Sequence, residues 1–500
     1  MPGSAIRKIL IVPLVSIFAL AGAGANAWHA PAMRADRAVS AYAAAHPDEM
    51  VPVIVRGEAA SDAAAIVAEA GGSVRAQLGI IDAVAADVPA NGIGDLARTD
   101  GVRWLSLDAG VSSTDDHGDG ARDRSTDAQP RNVYPEAIGA DELWDEGDRG
   151  QGVGVAVVDT GIVNSRDFGN GRVVATLPRD ADRGDGYGHG SHVAGLIAGD
   201  GTRSDGRYEG VAPGANLINV RVGDDSGAAT ISDVITSLQL VIENQRRFNI
   251  RVVNLSLRVD VPQSYTTDPL DAAVEFLTFR GILVVAAAGN TGSDADAVSY
   301  APGNDPFVLT VGAVDDAGTA GLRDDSVPSW SSRGTTQDGF AKPDLYAPGR
   351  HLVSVLSPRS VLAQEMPESI VGRYYMQLSG TSMAAAVTSG AAALVIEEHP
   401  GWTPGQVKQA LVQGAATVPG DASARVVQVD TSAGFESVTD GSPAITPNLL
   451  LLQATGVADP ESIKWGSIRW GSIKWGSIKW GSIRWGSIKW GSIRWGVVPD

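Results

Sequence analysis

From about residue 132 onward, apolar residues come in short, nearly unbroken runs: "GVGVAVVD", "ANLINVRV", "IRVVNLSL", "GILVVAAAGN" and "FVLTVGAV". Runs of this length without polar alternation predict strands covered on both faces. Between them lie helical stretches such as "ISDVITSLQLVIENQRR" and "PLDAAVEFLTFRG". The alternation predicts an α/β domain over residues 132–438 with a mostly parallel sheet. Sites in such domains form beyond the carboxyl ends of the strands.

A different pattern precedes it. "VPVIVRG", "VRAQLGI", "DAVAADVP" and "VRWLSLD" read as strands, and "DAAAIVAEAGG" and "GIGDLARTDG" as helices. The order β-α-β-β-α-β predicts a small ferredoxin-like α+β unit within residues 28–110. Residues 111–131 are Asp-rich and nearly free of apolar side chains, and read as a linker. Ahead of these, Arg7 and Lys8, the stretch "ILIVPLVSIFAL" and Ala25-Asn26-Ala27 have the order of a cleaved export signal over residues 1–27. A second linker, 439–461, leads to a Ser-Ile-Lys/Arg-Trp-Gly pentapeptide repeated seven times over 462–496.

Composition narrows the functional classes. A formal net charge of −19 argues against nucleic acid as a partner. The absence of cysteine excludes disulfides, thiolate metal sites and a cysteine nucleophile.

The chemistry-bearing residues sit at element ends. Asp159 ends "VGVAVVD", Asn290 ends "GILVVAAAGN", His189 opens a small-residue helix, and Ser382 opens the apolar helix that follows "LSG". Alone, each has a structural reading: turn residue, cap or loop histidine. Together they supply a nucleophile (Ser382), a base to take its proton (His189) and a carboxylate to orient that base (Asp159). The Asn290 amide and the Ser382 backbone N–H supply donors for a developing oxyanion, with the helix dipole adding to them.

"AVVDTGI", "GHGSHVAG", "AAAGN" and "SGTSMAAA" resemble the motifs of subtilisin-like serine proteases, in the family's order Asp, His, Ser. "GVAPGANL", "VVNLSL" and "KPDLYAPG" are also similar to family stretches. The resemblance implies a subtilisin-like three-layer sandwich and the roles just given for Asp159, His189, Asn290 and Ser382. It further implies that Ser256 and Leu257 line the substrate cleft, and that Ala287, Ala288 and Gly289 wall the primary specificity pocket. Ser299, before Tyr300, then falls near the floor of a pocket expected to be roomy and apolar. The segment before the first linker resembles the family's propeptides, which act as chaperone and intramolecular inhibitor, with maturation near or within residues 108–131. Protein or peptide substrates follow, and no cofactor enters the chemistry.

Two departures stand out. Arg258 occupies a position where the family usually carries glycine. The calcium-loop pattern is absent; "GDGTRSDGRYEG", with Asp200 and Asp205, is a loop that supports no metal assignment, so a structural calcium stays possible without a motif behind it. His192 is read as a structural neighbour of His189, and His29, His46, His117, His351 and His399 as solvated. The repeat forms no single apolar stripe as strand or helix. Three readings remain for it: a cationic-aromatic tail for anionic cell-envelope polymers or a lipid interface, a self-associating segment, or low-complexity expansion. Two rivals to a general secreted endopeptidase stand beside it: a cell-envelope binding protein whose function is the repeat, and a peptidase dedicated to one partner.

Overall fold

The computed structural model describes residues 34–113, 130–169, 171–179, 184–440, 446–449 and 451. The leader, residues 114–129 of the first linker and the pentapeptides lie outside the described residues.

The N-terminal unit comprises α1 (Arg37–Ala45), β1 (Met50–Arg56), α2 (Ala60–Glu69), β2 (Ser73–Leu78), β3 (Ala83–Pro89), α3 (Ile93–Leu96) and β4 (Trp104–Leu107). Its sheet is antiparallel in the order β2-β3-β1-β4. The two-residue period of the strands divides their side chains. Val51, Val53 and Val55 of β1, with Val84, Ala86 and Val88 of β3, pack on the unit's own helices. Ile54, Ala83 and Ala85 face the other way and, with Leu78 and Ile81, pack against the larger domain. Helix α1 was not among the sequence-predicted elements; Asp36 caps it by accepting from Val39 N at 2.6 Å.

The chain then forms a further short strand, β5 (Gly110–Ser113). This corrects the reading of residues 111–131 as linker throughout, since Val111, Ser112 and Ser113 are strand. The reason is tertiary, for β5 pairs with strands that come more than a hundred residues later.

In the larger domain follow β6 (Gly154–Asp159), β7 (Val173–Leu177), α4 (His189–Ala198), β8 (Asn216–Arg221), β9 (Ala229–Thr230), α5 (Ile231–Phe248) and β10 (Ile250–Leu255). Next come β11 (Leu257–Val259), α6 (Pro269–Phe279), β12 (Leu283–Ala287), β13 (Leu309–Val314), β14 (Leu345–Pro348) and α7 (Thr381–Glu398), then β15 (Ala416–Val418) and β16 (Asp421–Val426). Nine of these strands form one sheet, β15-β16-β14-β13-β12-β10-β6-β8-β7, parallel except for the β15–β16 pair. Val155, Val157, Val252, Val285 and Val311 pack on α4 and α7. Ala156, Val158, Val253, Val284 and Ala286 pack on α5 and α6. This is the expected three-layer α/β sandwich. Every residue of α7 from Thr381 to Ile396 is buried, as a helix apolar on all sides requires. Among the described residues no helix is long and apolar enough to cross a membrane.

Of the two helices that face the N-terminal unit, α5 and α6, the second carries a polar anomaly. Asp268, Asp271 and Glu275 of α6 and its cap are buried together with Asp305. Arg56 of β1 reaches toward the same place and bonds Ile81 O at 2.8 Å. Asn448 N donates to both Glu275 oxygens, at 2.9 and 2.8 Å, and its side chain donates to Asp268 O at 2.9 Å. Burial pushes Asp268 and Asp305 up to about 7, and Asp271 and Glu275 well above the usual carboxylate range. A carboxyl raised on folding retains a proton that the unfolded chain has already released. Its stabilising contribution is therefore complete below the unfolded value near 4 and is lost as pH rises through about 7.

Of the histidines expected to be solvated, His351, whose Nε2 is buried, and His399 are only partly exposed. His399 stacks on Trp402 at 3.7 Å between ring centres, and its Nε2 donates to Ala433 O at 2.7 Å.

The buried carboxyls yield a pH test. The melting temperature of the Ser382→Ala chain should fall between about pH 5 and pH 8, and Asp268→Asn with Asp305→Asn should flatten that slope. Parallel slopes for variant and parent, read by calorimetry, would show that these groups do not titrate on unfolding.

Candidate active site

Strand β6 ends in Asp159 at the carboxyl edge of the sheet, and its Oδ1 accepts from Thr160 N at 2.8 Å. The same oxygen lies 2.7 Å from His189 Nδ1, with both side chains almost fully buried. A carboxylate on Nδ1 fixes the tautomer that carries its proton there and makes Nε2 the basic nitrogen.

His189 is the first residue of α4, and Asp185 holds that helix start. Its carboxylate accepts from Gly188 N at 2.7 Å, Ser191 N at 2.8 Å, Ser191 Oγ at 2.6 Å and Thr160 Oγ1 at 2.8 Å. Thr160 in turn accepts from Gly190 N at 3.0 Å. Burial, first among the causes, raises the Asp185 pKa against these bonds. Gly190 lets α4 lie against the Asp159 turn, because a Cβ there would strike the Gly161 carbonyl. His192, one turn along α4, directs Nε2 at the Leu352 and Met376 carbonyls, 3.2 and 3.1 Å away. It is bonded to the frame and not to Asp159, which agrees with its reading as a structural neighbour.

Ser382 is the second residue of α7 and is fully buried. Its Oγ donates to Ser256 O at 3.3 Å, and Ser256 Oγ donates to Ser382 O at 3.0 Å. Behind them Asn254 Nδ2 donates to Ser256 Oγ at 2.9 Å and Asn254 Oδ1 accepts from Ser389 Oγ at 2.9 Å. This chain of bonds ties α7 to the end of β10. Asn290 is held by its oxygen, which accepts from Thr381 N at 3.1 Å and Thr381 Oγ1 at 2.9 Å. Gly289 N donates to Thr381 Oγ1 at 3.1 Å, so the turn after β12 and the start of α7 are one bonded unit. Ala287 is the last residue of β12, Ala288 and Gly289 follow it in that turn, and all three are buried.

The cleft beside Asp159 and His189 is lined by Thr160, Ser256, Leu257, Gly223 and Ala229, and it contains part of the chain itself. β5 lies antiparallel between β11 and β9, with Ser113 opposite Leu257, Ser112 opposite Arg258 and Val111 opposite both Val259 and Ala229. Asp108 fastens the approach: it accepts from Ser232 N at 2.9 Å and Ser232 Oγ at 2.7 Å at the start of α5, and pairs with Arg75 at 2.6 Å. Next to Ser299, where the resemblance implies an apolar pocket, Arg258 stacks on Tyr300 with its guanidinium carbon 4.5 Å from the ring centre.

Sequence reading missed Asp185, Asn254 and Thr381. The stretch "DGYGHGSH" held a signal for the first, an acidic residue just ahead of a helix start. Asn254 lay inside "VVNLSL", where a buried polar residue in an apolar run needs partners. Asp200 gives its carboxylate to Thr202 and Arg172, and among the described residues no group of three or more His, Asp or Glu is placed to hold a metal ion.

Comparison with known proteins places this arrangement in a class. Residues 150–439 match the model of the Subtilase family, and residues 19–106 match that of a peptidase inhibitor domain. The chain belongs to the subtilase family. It is 41% identical over 276 residues to the serine protease AprX of Bacillus subtilis (strain 168), a match covering 53% of this chain and 61% of AprX. It is 31% identical over 360 residues to Subtilisin E of the same organism, covering 71% of this chain and 81% of that protein. The crystal structure of fervidolysin from Fervidobacterium pennivorans, described as a keratinolytic enzyme related to subtilisin, aligns with a TM-score of 0.60 at 24% identity. That alignment covers 78% of this chain and 62% of fervidolysin, and it is a likeness of fold.

Asn254→Ala should lower stability by about 2–3 kcal/mol, because it leaves buried hydroxyls on α7 and after β10 short of a partner. Urea unfolding measures this, and a change under about 0.5 kcal/mol would show that the bonded chain is idle.

Proposed function

We propose that this chain is an exported serine endopeptidase made as a self-processing zymogen. Ser382 attacks the substrate carbonyl, His189 takes its proton through Nε2 and returns it to the leaving amine, and Asp159 holds the imidazole and stabilises its charged form. Water then repeats the sequence on the acyl-enzyme. The Asn290 side-chain amide and the Ser382 backbone N–H receive the oxyanion, aided by the dipole of α7. Ser256 and Leu257 align the substrate backbone, and Ala287, Ala288 and Gly289 wall the pocket beside the cut bond.

The observation that carries the reading is the 2.7 Å Asp159–His189 contact at a cleft into which the chain's own β5 is threaded. β5 pairs on both edges as a peptide substrate would, by strand addition. The N-terminal unit holds it there through Asp108, which fits an intramolecular inhibitor that ends in the cleft. Maturation cuts the chain close to the end of β5. Export rests on the leader pattern of residues 1–27, and binding of anionic envelope polymers on the basic tryptophan repeat.

Intact mass over time tests the whole. The wild-type chain expressed without its leader should shed its N-terminal unit, while Ser382→Ala should remain whole. His189→Ala should slow processing by at least about 1000-fold. Processing that persists in purified Ser382→Ala would remove Ser382 as the nucleophile.

A further inference from the structure

Arg258 follows the cleft residue Leu257 in β11 and has no part in the reaction. It lies in β11 directly opposite Ser112 of β5, so the two side chains share one face of the small sheet. Its guanidinium rests on the Tyr300 ring, and the Tyr300 hydroxyl is tied to Asp296 Oδ2 at 2.7 Å, which keeps the ring in place. Its Nη1 is buried and has no hydrogen-bond partner among the described residues. A buried, charged N–H donor without an acceptor is costly, and an arriving anion relieves that cost.

The register says where the anion belongs. Ser113 is opposite Leu257, so a substrate strand in the same register puts its next residue opposite Ser256. The Ser256 carbonyl accepts from Ser382 Oγ, so that next residue is the one whose carbonyl meets the nucleophile. Side chains two apart share a face, which puts this residue diagonal to Arg258 and within reach of a long side chain. The position directly opposite Arg258 is less suited to an acid, since Asp260 Oδ1 already accepts from Ser112 Oγ at 2.6 Å. We propose that Arg258 is a specificity-determining residue that pairs with the carboxylate of glutamate or aspartate at the substrate position immediately before the cut bond. The proposal rests on the peptidase reading above.

The test uses the full chain after it has processed itself, with its active sites counted by a fluorophosphonate. Quenched fluorescent peptides differ only at the residue before the cut: glutamate, glutamine, alanine or phenylalanine. The wild type should show kcat/KM at least about tenfold higher for glutamate than for glutamine, with the ratio falling as salt rises. Arg258→Gln should bring the ratio to within about twofold of unity, and Arg258→Lys should restore part of it. Equal cleavage of glutamate and glutamine peptides by the wild type, or faster cleavage after alanine or phenylalanine than after glutamate, overturns the proposal. So does a ratio that survives in Arg258→Gln. If the variant does not fold, the wild-type ratio and its salt dependence still decide. Fluorophosphonate labelling without a glutamate preference removes this proposal alone; the absence of both labelling and cleavage removes the peptidase reading with it.

Discussion

The contact between Asp159 and His189 is the constraint on which the cleft depends. A carboxylate from a strand end and an imidazole from a helix start meet at 2.7 Å only if the strand and the helix are both held to a fraction of an ångström. β6 is fixed on both edges by β10 and β8. α4 is fixed from its front by Asp185, from its side by the lack of a Cβ at Gly190, and from behind by His192, whose ring bonds the frame. These groups surround the pair without touching the position a substrate would take, so the packing of the domain and the geometry of the site are one problem.

The start of α7 is the other half of that problem. Its first turn is bonded to the turn after β12 through Asn290 and Thr381, and to the end of β10 through Ser256 and Asn254. β10 and β12 are adjacent parallel strands, so their carboxyl ends emerge side by side and both reach α7. A polar cluster at this depth is tolerated because nearly every donor in it meets an acceptor. The helix behind it is apolar on every side and locked between sheet and α4, which leaves Ser382 little freedom to drift.

Much of this was legible in the chain. The doubly covered strands announce themselves as unbroken apolar runs, and Asp159, His189, Asn290 and Ser382 sit at element ends where turn chemistry marks them. What was not legible depends on partners distant in sequence. Val111-Ser112-Ser113 has no pattern of its own and becomes a strand because β11 and β9 offer edges. His399 reads as a surface residue until Trp402 and the Ala433 carbonyl close on it. The Arg258–Tyr300 stack joins positions 42 residues apart, and neither residue alone announces the other.

The interface beneath the N-terminal unit divides its labour in a way that follows from burial. Ile54, Leu78 and Ile81 pack in one apolar cluster with Ile235 and Leu238 of α5 and Leu270, Ala273 and Leu277 of α6, and this contact supplies the attachment. The carboxyls of α6 lie beside that contact with Arg56 as the cation facing Glu275 from the N-terminal unit, and Asn448, 392 residues from Arg56, completes the cluster. Buried ionisable groups of this kind contribute little net adhesion, because removing them from water offsets most of what their pairing returns. Their effect is on orientation: Arg56 leaves β1, and Asp108 follows β4 in the same sheet as it leads into β5. A rotation of the unit that spared the apolar contact would still break the Arg56–Asn448 and Asp108–Ser232 bonds, and would draw β5 away from β11. The Asp108–Ser232 bonds, with Arg56 on Asn448, thus keep the strand in register in the cleft, while the apolar face keeps the unit on the domain.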